Sequence, residues 1–180
     1  HFSRQGRQAI LQWNMIEDGD NLLLGLSGGK DSLSLLHCLM ELQRRLPIQF
    51  SLQICTIDPM TESFDPSPLI PYIDSLGLQY HYIKADIVSR AATCGKDGQV
   101  VSSLCAFCAR MKRGHLYQCA RDNACNKLVL GQHLDDLAES FFMSVMHNGF
   151  ARTMKANYQI NAGDLSVIRP LVYCRESLMT

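Results

Sequence analysis

The chain has 180 residues, 47% hydrophobic and 19% charged, which fits one globular domain and excludes a disordered tail. Its 17 basic and 17 acidic residues cancel, which argues against a strongly basic nucleic-acid binder, and no apolar run approaches a membrane span. No charged-then-apolar leader opens the sequence, so a cytoplasmic location is expected, an organelle being compatible; a start at His1 and a stop at Thr180 read as those of a fragment.

In chain order, a first helix precedes residue 17, with Ile10, Trp13 and Ile16 at helical spacing. Asn21 to Leu26 is a compact apolar run ending in Ser-Gly-Gly, a buried strand entering a turn. A helix follows from Asp31, with Leu35, Leu39, Leu42 and Leu46 along one face until Pro47. Phe50 to Ile57 is a second strand, and a proline-rich loop from Pro59 to Pro71 leads into a short helix around Ile73. Gln79 to Ile83 is a third strand. A long connection containing Gly95 and Gly98 then precedes a helix from about Cys105 to Asp122. Lys127 to Gly131 is a fourth strand, Leu134, Leu137, Phe141 and Val145 mark the next helix, and Val167-Ile168 a fifth strand. This alternation predicts an α/β fold with an open, mostly parallel five-stranded sheet and helices on both faces. Ligands of such sheets bind beyond the carboxyl ends of the strands, so the residues there matter most.

Charge and cysteine are unevenly spread. Residues 48–83 carry Asp58, Glu62, Asp65 and Asp74 with no Lys or Arg, a balance of 0 − 4 = −4. Residues 84–128 hold eight basic against three acidic side chains, 8 − 3 = +5, a half that could face a polyanion or be an ordinary solvated face. Of eight cysteines only Cys105 and Cys108 are closely paired; Cys38 and Cys55 sit in apolar stretches as small hydrophobes. Reduced thiols or a metal fit this pattern better than a disulfide framework.

Beyond the first strand lies Ser27-Gly28-Gly29-Lys30-Asp31-Ser32. The glycines let an anion approach the backbone, the helix start supplies unpaired N–H groups, and the hydroxyls and ammonium add donors, so the loop suits phosphates. It matches neither the G-x-x-x-x-G-K-[ST] loop nor the G-x-G-x-x-G fingerprint. Cys105-x-x-Cys108 at a helix start favours thiolates, and redox, zinc and iron–sulfur readings all stay open. Lys112 lies one turn beyond Cys108, where it could meet a phosphate or belong to a solvated stripe with Arg110 and Arg113. After the fourth strand, Gly131-Gln132-His133-Leu134-Asp135-Asp136 offers carboxylates for Mg²⁺ and a histidine donor, although acids there also cap a helix. Asp58 comes just after the second strand and could serve a nucleotide or the turn before Pro59.

SGGKDS resembles the PP-loop of the ATP pyrophosphatase family. With C-x-x-C-x-R-x-K-R-G, G-x-H-x-D-D and V-I-R-P-L in that order, the chain resembles the tRNA 2-thiocytidine synthetases (TtcA), a branch of the PP-loop tRNA thiolases. That resemblance implies an N-terminal helix over 1–18 and an ATP-binding domain over 19–180. It implies that Ser27, Gly28, Gly29, Lys30, Asp31 and Ser32 hold the phosphates of ATP; Asp58, Gly131 and His133, from their places after the strands, are expected beside the same nucleotide and its Mg²⁺. It assigns Cys105 and Cys108 to a [4Fe–4S] cluster and Lys112, Asp135 and Asp136 to the reacting centre. ATP would adenylate O2 of an anticodon-loop cytidine, and sulfur would then displace AMP. The cluster's third cysteine would lie beyond residue 180, Cys174 being too early. Implied partners are tRNA, a sulfur donor such as a cysteine desulfurase or sulfide, and a possible second copy, with no membrane. Arg4, Arg7 and Arg110 to Arg113 are candidate RNA contacts. A uridine thiolase, a lysidine-synthetase type of ligase and a non-catalytic ATP-binding module are the alternatives.

Overall fold

A computed structural model describes residues 2–61, 64–87 and 104–178. The connection containing Cys94, Gly95 and Gly98 lies outside them. Helix α1 (Phe2–Gln12) leads to β1 (Asn21–Gly25), then α2 (Lys30–Arg45), β2 (Ser51–Asp58), α3 (Leu69–Ser75) and β3 (Gln79–Lys84). Helix α4 (Leu104–Asp122), β4 (Lys127–Val129), α5 (Leu134–Asn148), β5 (Asn157–Gln159), β6 (Ser166–Ile168) and a 3-10 turn (Glu176–Leu178) complete the order.

The strands form one sheet in the order β3-β2-β1-β4-β6-β5, parallel throughout except for β5 against β6. The expected open parallel α/β architecture is present, with one correction: among the described residues the sheet has six strands, not five. The extra strand, β5, is three residues long with Tyr158 its one apolar side chain, too short for a period-two pattern. Its hairpin with β6 closes through Gly163 at φ 75°, a conformation glycine adopts without strain. The Asn161-Ala162-Gly163-Asp164 turn was the available sequence signal.

Alternation along the central strands divides the core. Leu22 and Leu24 enter a cluster with Ala9 and Ile10 of α1, Leu35 and Leu39 of α2 and Ile73 of α3. Leu23 faces the other side, with Leu128, Val167 and Cys119 and Ala120 of α4. Helices therefore cover both faces, and all three leucines are fully buried because neighbours pair on both edges. α5 differs: its predicted stripe forms a helix, yet none of its residues is buried, and Leu137 only leans on the first cluster.

Chain direction matters more than the extra strand. From β1 the connection turns through α2 to β2 on one side, whereas the other neighbour is β4, reached after α4. Order reverses between β1 and β4, so their carboxyl ends diverge and leave a crevice between the loops.

Candidate nucleotide site

That crevice holds a cavity of about 400 Å³. Its polar wall brings together Ser27, Asp31 and Ser32 after β1, Gly131, Gln132 and Asp136 after β4, and Lys112 and Arg113 from α4. Leu26, Ile57, Leu116 and Leu130 form its apolar wall, a mixture suited to an organic ring with charged substituents.

The loop after β1 is shaped by its own short bonds. Gly28 has φ 84°, where a side chain would be strained, and a Cβ there would also touch Leu69 at 3.4 Å. Ser32 Oγ donates to the Gly29 carbonyl at 2.9 Å and sits 3.1 Å from Ser27 Oγ, tying the turn to the first turn of α2. No side chain caps α2 at Gly29, so its leading amides keep their donors toward the cavity mouth. One oxygen of Asp31, Oδ1, is buried with no hydrogen-bond partner. An uncapped helix start beside an orphaned carboxylate oxygen fits an anion accompanied by a cation.

Lys112 reaches the cavity from α4, its Nζ 5.7 Å from the centre of the Phe64 ring. The cavity face of α4 is Ala109, Lys112, Arg113 and Leu116, spaced i, i+3, i+4, i+7. Cys105 precedes Ala109 by one turn; its side chain lies outside the described residues. Cys108 is a free, half-buried thiol leaning on the second core cluster.

Several predicted site residues stand elsewhere. Lys30 points to Glu176, with Nζ 2.8 Å from its carboxylate; that contact raises the lysine pKa and lowers the glutamate's. Asp135 accepts the Glu176 amide at 2.6 Å. Asp58 accepts from the Met60 amide at 2.8 Å and the Tyr82 hydroxyl at 2.7 Å, holding the turn after β2. His133 is buried behind the wall, its Nε2 3.8 Å from Asp31. It also makes a reciprocal cap with Asp136, whose carboxylate accepts the His133 amide at 2.9 Å while His133 Nδ1 accepts the Asp136 amide. Sequence reasoning did not assign Phe64, Arg113 or Gln132 to the wall. Arg113 adjoins the flagged lysine, Gln132 sits inside G-x-H, and Phe64 has no surrounding motif.

A family model described as a PP-loop domain matches residues 2–180. The chain belongs to the PP-loop family. Relatives include the tRNA-cytidine(32) 2-sulfurtransferases of Vibrio cholerae serotype O1 and Ralstonia pickettii, both 39% identical, covering 96% and 97% of this chain and 55% and 54% of theirs. The Pseudomonas fluorescens protein of the same name is 38% identical over 96% of this chain and 62% of its own. This PP-loop domain thus spans little more than half the length of the curated relatives it matches. Among solved structures, the U34-tRNA thiolase NcsA of Methanococcus maripaludis, described with its [4Fe–4S] cluster, superposes with TM-score 0.74 at 19% identity. It covers 99% of this chain and 59% of that one, a likeness of fold. An NH₃-dependent NAD synthetase from Campylobacter jejuni gives TM-score 0.58 at 18% identity over 99% of this chain and 70% of its own.

Proposed function

We propose that this PP-loop domain is the ATP-binding part of an enzyme that thiolates a cytidine in tRNA. The observation that carries the reading is the cavity itself: it joins the SGGKDS loop to Lys112, on the helix that starts with Cys105-x-x-Cys108. Relatives sharing about 39% identity along nearly all of this chain support the choice of reaction.

Cytidine O2 is a poor leaving group until it is esterified to a phosphate, so activation must precede sulfur attack. The amides of the first turn of α2, with the Ser27 and Ser32 hydroxyls, hold the phosphates of ATP and stabilise pyrophosphate as it separates. Asp31, with its unpartnered Oδ1, and Asp136 are the oxygen donors for Mg²⁺. Lys112 and Arg113 bring positive charge to the same polar wall from α4, where negative charge grows on the α-phosphate. Lys30, released from Glu176, reaches the phosphates from the loop side. Cys105 and Cys108 are two thiolate ligands for a [4Fe–4S] cluster, a role suited to the free thiol of Cys108 in the first turns of α4. Such a cluster supplies a place to hold sulfur for transfer. Cys174 does not join them: it is sealed in the first core cluster, and burial pushes its thiol up to about 11. The sulfur comes from sulfide or a cysteine desulfurase.

Among the described residues no helix is long and apolar enough to cross a membrane. The test uses the full-length protein, kept anaerobic, with ATP and bulk tRNA, followed by nucleoside analysis. AMP and pyrophosphate released in step with 2-thiocytidine are expected. Thiouridine would move the target to the uridine branch, and ADP or tRNA-independent turnover would overturn the reading.

A further inference from the structure

Arg169 is 2% exposed and has no carboxylate partner among the described residues. Its guanidinium donates from Nε to Gln132 Oε1 at 2.8 Å and from Nη1 to the Lys155 carbonyl at 2.6 Å, and it lies 5.5 Å from the centre of the Tyr158 ring. A buried cation with no carboxylate against it, held by an amide, a backbone carbonyl and the Tyr158 phenol, is costly and calls for a reason. Its neighbour supplies one. Gln132 lines the cavity, standing where it meets a second groove along α5 that is lined by Met143, His147 and Arg152. Arginine only donates, so it can pair only with the oxygen end of the glutamine amide. No described residue accepts from Gln132 Nε2.

We propose that Arg169 is a positioning residue that fixes the polarity of Gln132, making its amide NH₂ a dedicated donor to an acceptor atom of the cavity's occupant. The guanidinium polarises the amide and strengthens that donor, and its buried charge adds to the field of Arg113 on the same wall. The acceptor atom is a phosphate oxygen of the nucleotide or a carbonyl oxygen of the base entering from the α5 groove. This inference rests on the cavity being the nucleotide site.

The decisive variant is Gln132→Glu in the full-length protein. It keeps the side-chain length and gives Arg169 a carboxylate, so a purely structural glutamine would leave the melting temperature unchanged or higher and binding intact. The donor role instead predicts an unchanged or higher melting temperature with affinity for a non-hydrolysable ATP analogue weakened about tenfold, if the donor meets the nucleotide. If it meets the base, analogue binding stays normal and KM for tRNA rises about tenfold. Gln132→Met, neutral and without a donor, must show the same loss; normal binding and normal tRNA kinetics in that variant would reduce the Glu effect to charge and overturn the donor. Arg169→Lys must weaken the same step in the wild type but not in the Gln132→Met background. An equal effect in both backgrounds would show that Arg169 does not act through Gln132. Wild-type protein that binds no ATP analogue would remove the nucleotide reading together with this one. Wild-type binding matched by Gln132→Glu, with tRNA kinetics also unchanged, would overturn the inference alone.

Discussion

β1 and β4 are hydrogen-bonded neighbours that run the same way and end in glycine-containing loops, each of which starts a helix. The chain completes those two starts in opposite fashions. After β1, Gly29 provides no side-chain cap and the loop's hydroxyls are turned on each other, leaving the leading amides of α2 for a ligand. After β4, His133 and Asp136 satisfy each other's amides, and α5 begins as a closed unit. The acids most suggestive of catalysis in the sequence thus carry a structural duty first, and the residues without a capping group carry the donors. An empty cap is the better pointer to a ligand.

The largest effect is expected where the open loop loses its shape. Gly28→Ala puts a side chain at φ 84° against Leu69, costing about 1–2 kcal/mol from the backbone alone, and ATP-analogue affinity should fall about tenfold or more. Wild-type affinity from titration calorimetry would show that the loop's form is dispensable. Next, Asp136→Ala should lower stability by about 1 kcal/mol through the lost cap, read as a fall in melting temperature. Because Asp136 also faces the cavity as a Mg²⁺ donor in the proposed reaction, kcat should fall further than the loss of folded protein accounts for; a fall only in proportion to folded protein would make the β4 loop structural alone and remove Asp136 from the cation site. Ser32→Ala removes the hydroxyl that ties the turn to α2, worth about 1 kcal/mol or roughly fivefold in nucleotide affinity. The smallest change belongs to Glu176→Gln, which frees an exposed lysine: melting temperature should hold, and nucleotide should bind about twofold tighter at low salt. Weaker binding would mean that the Glu176 contact presents Lys30 instead of restraining it.

The parallel sheet, its helices on both faces and the phosphate loop were legible because they rest on local signals: buried runs such as Leu22 to Leu24, the period of α2, and six consecutive loop residues. The site's two halves were separately visible, but their meeting depends on the order reversal between β1 and β4, which no local pattern encodes. Gln132 stayed hidden because its role comes from Arg169, 37 residues away. Asp58 and Asp135 show the reverse limit: a carboxylate beyond a strand reads alike in sequence whether it faces a ligand or a backbone amide.

The sulfur atoms of the fold also divide by accessibility. Burial holds the thiols of Cys38, Cys125 and Cys174 up near 12, 11 and 11, and the Cys55 thiol, hydrogen-bonded to the free thiol of Cys119 and buried, is driven upward as well. Among the six described cysteines, only Cys108 is not buried. With the cluster removed, a maleimide should therefore reach Cys108 first among the described cysteines and the five buried ones only as fast as the core opens, so the lag between those phases is a clock for unfolding.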